Sequence, residues 1–131
     1  MTMDAAVKDA WTEALLSGEF PQGKGTLKDD AGHYCCLGVL ATVLRDQFPQ
    51  VLRYAGCVVE EYDKPILSES SGLANTIARL TVTTDKGETS SGVLPPELAN
   101  AVGITSQTAL YTRNDDGYSF EGIAAFIVNS L

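Results

Sequence analysis

Residues 34–40, with the sequence YCCLGVL, constrain the fold of this chain more than any other stretch. They place two adjacent cysteines, Cys35 and Cys36, at the start of an apolar run that keeps helical spacing to Arg45. Cysteine is among the most buried residue types, and a wide apolar helical surface must be covered by other elements. The sequence therefore predicts a largely buried helix over residues 35–45, around which the rest of the chain packs.

Helix signals also lie on either side of this segment. Asp4 is a candidate N-cap, apolar residues recur at helical spacing through Leu16, and Gly18 stands where a glycine commonly ends a helix. Two prolines begin a short helix over residues 97–102. Ser119 is predicted to cap a last amphipathic helix, whose apolar stripe is Phe120, Ile123, Ala124, Ile127 and Leu131.

Strand signals occur in the middle of the chain. Residues 57–59 are a short apolar strand candidate, and residues 68–75 have the composition of a loop. Residues 77–84 are rich in Thr, Leu and Val, and the turn residues at 85–88 favour a hairpin with residues 89–94 as the return arm. Pro49 is expected to close the region of the buried helix, and residues 104–113 are ambiguous between helix and strand.

Length and composition favour one compact domain over residues 1–131. A chain of 131 residues, 44% hydrophobic and 20% charged, can bury a core without disulfide or metal staples. The expected fold class is α+β, rich in helices with a small antiparallel hairpin or sheet. We expect neither a membrane span nor a secretory signal, because no apolar run is long enough. The expected location is the cytoplasm.

The net charge of −8 restricts the partners. The nine basic residues are scattered, whereas duplex nucleic acid requires a basic face, so we do not expect duplex DNA or RNA as a ligand. One small nucleotide is not excluded, because a single loop of amides and one lysine can hold a phosphate. An acidic surface can equally attract a basic protein.

The loop Gln22-Gly23-Lys24-Gly25 is the leading candidate for ligand binding. Two glycines that flank a lysine can present successive backbone N–H groups to an anion, with Lys24 adding positive charge. The loop is not a P-loop, since the GxxxxGK[ST] spacing is absent. The alternative is a tight structural connection between a helix and the next element.

Aromatic residues near this loop could contact the base or ribose of a nucleotide. Trp11 lies on the first predicted helix, and His33 and Tyr34 follow the loop. An indole or phenol ring can stack on a base, although such rings are more often part of a core.

The three cysteines, Cys35, Cys36 and Cys57, favour a reduced protein without disulfides. A thiol at a helix start, with His33 as a base, could in principle act as a nucleophile, but a base two residues away rarely reaches it. The turn at residues 114–117 lacks the remaining ligand positions of a calcium loop. We predict no catalytic residue, metal or cofactor.

Several sequence blocks resemble a family of small, largely uncharacterised proteins of tailed phages. They are W-x2-AL-x-SG-x-F-x-QG-x-G from Trp11, CCLGVL from Cys35, LPPEL from Leu94 and ND-x-G-x-SF-x2-IA from Asn114. The resemblance implies a phage accessory protein acting inside an infected bacterium. Together with the loop, it suggests a non-enzymatic counter-defence protein that sequesters a nucleotide-type immune signal. The resemblance also allows for a homo-oligomer, because sponge-like phage proteins generally bind their ligands between subunits.

Two other functions remain open at this point. The alternative is an acidic inhibitor that binds a host defence protein directly. The third is a Cys-dependent hydrolase.

Overall fold

The computed structural model describes residues 4–67 and 77–131. The helices of this part of the chain are α1 Ala5–Leu16, α2 Cys36–Gln47, α3 Pro49–Ala55, α4 Pro96–Val102, α5 Gln107–Asp115 and α6 Phe120–Ser130. The strands are β1 Cys57–Leu67, β2 Ile77–Thr84 and β3 Thr89–Ser90. Helices thus predominate over a small sheet, and the predicted α+β class is confirmed.

Helix α1 begins and ends where its sequence signals place it. The Asp4 carboxylate accepts a hydrogen bond from the backbone N–H of Val7 at 3.1 Å, which satisfies one of the amides left open at a helix start. The helix ends at Leu16, and Gly18 follows with a φ of +79°. One face of α1 packs against both α2 and α6.

Helix α2 is the centre of the core. Every residue from Cys36 to Leu44 is buried, so the helix has no solvent-facing side over these turns. It packs against α1, α3, α5 and β1. The predicted buried helix is confirmed, and it is covered all round rather than along one stripe.

Gly38 lets the chain before α2 approach the helix axis. A Cβ atom at Gly38 would overlap the backbone carbonyl of Leu27, whose side chain is fully buried. The same carbonyl oxygen accepts a hydrogen bond from the backbone N–H of Cys35 at 3.2 Å. The segment around Leu27 is therefore held directly on the first turn of α2.

The sheet has the strand order β1-β2-β3 and is antiparallel throughout. Val59 lies opposite Val82 on the face that packs on the core. The predicted hairpin between residues 77–84 and the following strand is confirmed, although its return arm is only Thr89–Ser90. The predicted loop over residues 68–75 lies outside the described residues.

The structure refines the expectation for Pro49, resolves the ambiguity at residues 104–113 and shortens the turn expected at 114–117. Pro49 does not simply close the region of α2; it occupies the first turn of α3, where its missing N–H costs nothing. The ambiguous residues 104–113 contain most of α5, whose N-cap Ser106 accepts a hydrogen bond from the backbone N–H of Ala109 at 3.4 Å. The expected turn at 114–117 starts later, because α5 continues to Asp115.

The C-terminal helix follows its sequence pattern closely. The Ser119 hydroxyl accepts a hydrogen bond from the N–H of Gly122 at 3.3 Å. Of the predicted apolar stripe, Leu131 is partly buried and the other members are buried: Phe120, Ile123, Ala124 and Ile127. Among the described residues, no helix is both long and apolar enough to cross a membrane.

Two helical glycines should respond oppositely to alanine. In Gly38→Ala the new methyl group overlaps backbone that cannot move aside, so we expect a loss of about 3 kcal/mol or more in the free energy of unfolding. In Gly122→Ala the methyl group meets only ordinary contacts, the nearest at 3.7 Å, and helix propensity should raise stability by about 0.5–1 kcal/mol. Urea denaturation of both variants measures this, and equal effects would contradict the role given to Gly38.

Candidate functional site

The loop that was predicted to bind phosphate is closed on the segment that precedes α2. The backbone N–H of Gly23 donates to the carbonyl of Tyr34 at 2.7 Å, and the N–H of Tyr34 donates to the carbonyl of Pro21 at 2.7 Å. A Cβ at Gly23 would lie 2.6 Å from the Cβ of His33. Gly23 is thus required for close packing of two chain segments.

Gly25 carries the strained backbone of the loop, with a φ of +83° that favours glycine. Its N–H donates to the Asp115 carboxylate at 3.2 Å. The amides of Gly23 and Gly25 are therefore already paired, one of them with an anionic side chain that would repel a phosphate. This pairing removes the physical basis on which the anion site was predicted.

Lys24 lies on the surface between these glycines. It forms no ion pair with any acidic side chain of the described residues. A role for Lys24 in binding an anion stays a prediction, without support from the amides on either side.

Gln22 ties the loop to the C-terminal helices. Its side-chain amide donates to Asn114 Oδ1 at 3.1 Å and to the carbonyl of Tyr118 at 2.6 Å, and its Oε1 accepts from the N–H of Phe120 at 3.1 Å. Asn114 is fully buried and donates through Nδ2 to the carbonyl of Gly23 at 2.7 Å. These hydrogen bonds give Gln22 a structural role, and its predicted ligand contact stays a prediction.

Trp11 belongs to the core. Its side chain is 0% exposed, and its indole N–H donates to the carbonyl of Cys36 at 2.9 Å. A buried indole needs this kind of partner for its single donor. The predicted contact between Trp11 and a ligand stays a prediction without support, because the face of α1 that carries Trp11 packs inward on α2.

His33 and Tyr34 lie beside the loop, and their side chains make different contacts. His33 is exposed, and its Nδ1 lies 3.6 Å from the Asp29 carboxylate. Tyr34 packs edge-on against Phe20, with ring centroids 5.0 Å apart, and the Lys28 Nζ lies 5.1 Å from its ring centre. Tyr34 is partly buried by these contacts, whereas the side chain of His33 is exposed.

The cysteines are unsuited to nucleophilic catalysis. All three are free and buried. Burial raises the pKa of the Cys35 thiol to about 11, and burial also raises the pKa of Cys36, whose Sγ donates to the carbonyl of Leu110 at 3.7 Å. A catalytic thiol needs the opposite shift, toward the thiolate at neutral pH.

Gly25 and Cys35 line a cavity of about 170 Å³ together with Tyr111 and Asp115. Clefts that hold drug-sized ligands measure roughly 300–1,000 Å³, so this cavity is too small for a nucleotide. The residues predicted to bind a ligand are thus not brought together into one site of suitable size.

A different concave surface lies between the C-terminal halves of α1 and α2. This α1–α2 groove has a volume of about 300 Å³. Its acidic residues are Glu13, Glu19 and Asp46, and its apolar residues are Ala10, Ala14, Phe20 and Val43. Sequence reasoning missed it, because its acids are far apart in the chain and individually resemble ordinary solvated charges.

The acidic residues of the α1–α2 groove outnumber their basic partners, since only Asp46 of the three is ion-paired. The C-terminal ends of both helices lie beside it, and each carries a partial negative charge. Arg45 is the nearest basic side chain of α2, but its guanidinium is engaged by Asp46 and Glu61, each at 2.9 Å. Glu13 and Glu19 have no basic partner within the described part of the chain.

Metal binding does not account for these carboxylates. Across residues 4–67 and 77–131, no three His, Cys, Asp or Glu side chains converge closely enough to hold a metal ion. The lining of the groove contains both carboxylates and apolar side chains, which suits an extended cationic group better than a point charge.

Asn114→Ala should destabilise the protein much more than Lys24→Ala. Removing the Asn114 amide leaves the carbonyl of Gly23 and one donor of Gln22 unpaired, at a cost of about 1–3 kcal/mol. Lys24→Ala removes only an exposed side chain and should change the free energy of unfolding by less than about 0.5 kcal/mol. Urea denaturation distinguishes the two, and a neutral Asn114→Ala would contradict the structural role of the loop.

The buried thiols should make the protein less stable in alkali. The Cys35 pKa is raised in the folded state to about 11, so its contribution is complete below the ordinary thiol pKa of about 8.5 and is lost as pH rises toward the folded value. We expect wild type to lose about 1–2 kcal/mol more than Cys35→Ala between about pH 8 and pH 10. Unfolding in urea at each pH measures the difference, while rapid alkylation of native Cys35 near neutral pH would refute the assignment.

Comparisons with known proteins identify a family but no characterised relative. No curated protein and no solved structure matches the chain. The model of a family described as a domain of unknown function, DUF8296, matches residues 3–131. This match covers nearly the whole chain, and the protein therefore belongs to the DUF8296 family.

Proposed function

We propose that this protein acts by binding a basic protein partner, without catalysing a reaction. The observation that carries the proposal is its large excess of unpaired acidic side chains. The chain has 17 acidic and nine basic residues. Among the described acidic side chains, only Asp29, Asp46 and Glu61 lie within ion-pair distance of a basic one.

Several of the few basic residues are already engaged within the protein. Lys28 and Arg45 share Glu61, and the pKa of Glu61 is lowered, chiefly by its hydrogen bond with Lys28 and further by Arg45, against the opposing effect of partial burial. Arg113 stacks on the ring of Phe126, with its guanidinium carbon 3.8 Å from the ring centre. The outward field is therefore negative, which steers and holds basic partners.

The competing functions have weaker geometric support. A Cys-dependent hydrolase lacks an ionisable nucleophile, because the thiols are buried with raised pKa values. Nucleotide sequestration stays a prediction, and the paired amides of Gly23 and Gly25 no longer favour it.

The resemblance of the sequence blocks to tailed-phage proteins suggests where the partner is found. On this proposal the protein is a phage accessory protein in the cytoplasm of an infected bacterium, and its partner is a basic host protein, such as a defence protein. A basic nucleic-acid-binding surface is the kind of protein face that scattered carboxylates would cover.

The proposal is tested by affinity capture from bacterial extract at low and high ionic strength, followed by calorimetric titration of purified candidates. We expect a basic protein that is retained at about 50 mM salt and released at about 500 mM, because charge attraction between exposed groups is screened. A thermal-shift series with cyclic and ADP-ribose-type nucleotides runs beside it. A nucleotide in hundredfold excess over its Kd would add about 2.7 kcal/mol of stability. That result, without any salt-sensitive protein partner, would overturn the proposal in favour of sequestration.

A further inference from the structure

We infer that the α1–α2 groove is the docking site for an arginine or lysine side chain of the basic partner. The inference rests on the proposed function and names the surface that performs it. The groove combines carboxylates, the negative ends of two helices and several apolar side chains in one concavity of about 300 Å³.

The acidic side chains at the C-terminal end of α1 are unfavourable in the unbound protein. Glu13 stands in the last turns of α1, where the helix dipole disfavours an acidic side chain, and no basic residue occupies the last turn of this helix. Asp9 lies four residues earlier on the same helical face, so the two like charges repel each other. Both effects destabilise the unbound protein, and a cation in the groove would reverse them.

The groove is lined by both acidic and apolar side chains. Ala14, Phe20 and Val43 line the same groove as Glu13 and Glu19 and supply apolar surface there. Lysine and arginine pack their methylene stems on apolar surface while the charged head contacts acids. A guanidinium can in addition stack on an aromatic ring such as that of Phe20. The lining therefore fits one long cationic side chain better than a compact ion.

Charge complementarity also separates this occupant from others. A second copy of the chain carries the same net charge of −8 and approaches against repulsion. An anionic membrane surface is repelled for the same reason. The groove volume of about 300 Å³ lies at the lower end of ligand clefts, enough for one or two side chains of a docked segment.

The experiment measures binding of a fluorescein-labelled peptide with arginine at every third position, by fluorescence anisotropy. The same peptide with neutral citrulline in place of arginine is the ligand control. The test variant is Glu13→Gln with Glu19→Gln, and the charge-matched control is Glu88→Gln with Glu121→Gln, since neither Glu88 nor Glu121 lines the groove. All four substituted positions are exposed, so each variant is expected to fold.

We expect the groove variant to bind the arginine peptide about tenfold more weakly, while the control variant stays within about twofold of wild type. Glu13→Gln alone should at the same time raise the Tm by about 1–4 °C, because it removes an unfavourable charge from the end of α1. Weaker binding together with higher stability is a combination that a merely structural role for Glu13 would not produce.

The outcomes separate this inference from the function on which it rests. If wild type binds the arginine peptide in a salt-sensitive manner but both variants lose affinity equally, the groove is refuted and a diffuse acidic surface remains. If wild type binds the citrulline and arginine peptides alike, or neither, the proposed function fails as well.

Discussion

The contact between the backbone of Leu27 and Gly38 is the constraint on which the rest of the structure depends. Helix α2 is covered on all sides, and a glycine at its first full turn allows another segment to lie against its backbone. This contact fixes the position of the segment from Pro21 to Tyr34. The carbonyl of Leu27 accepts a hydrogen bond from the N–H of Cys35 at the start of α2, and the carbonyl of Lys28 accepts one from the N–H of Arg79 in β2. The loop then reaches α5 and α6 through Gln22.

Local signals in the sequence were sufficient for most of the fold. The caps Asp4 and Ser119 mark helix starts because each accepts a hydrogen bond from a backbone N–H of the first turn. Gly18 and Gly103 follow helix ends, where each adopts a positive φ that favours glycine. Pro49 shows the limit of such signals. A proline can stop one helix or start the next. Burial of Leu52 in the core favours the short helix that begins at Pro49, and this burial is not visible in the local sequence.

The site could not be predicted as well as the fold, because its determinants are not local. A glycine-rich loop looks the same whether its amides are free or paired, and the partner of Gly25 is Asp115, which lies 90 residues away. Likewise, periodicity identifies the apolar face of α1 but not that Trp11 points into α2. The acids of the α1–α2 groove form one surface only because the fold brings the C-terminal ends of two helices together.

The hydrogen bonds of Gln22 have a consequence for how the chain is made. They join residues separated by 92, 96 and 98 positions, so the loop cannot reach its native arrangement until α5 and the start of α6 have left the ribosome. Until then α2 has no complete cover, and its apolar surface is exposed to other nascent chains and to chaperones. Contacts between such distant residues also slow folding, since the intervening chain must be ordered first. Closure of the loop on α5 and α6 is therefore late relative to the synthesis of α2, which makes the yield in a crowded cell sensitive to the rate of that closure.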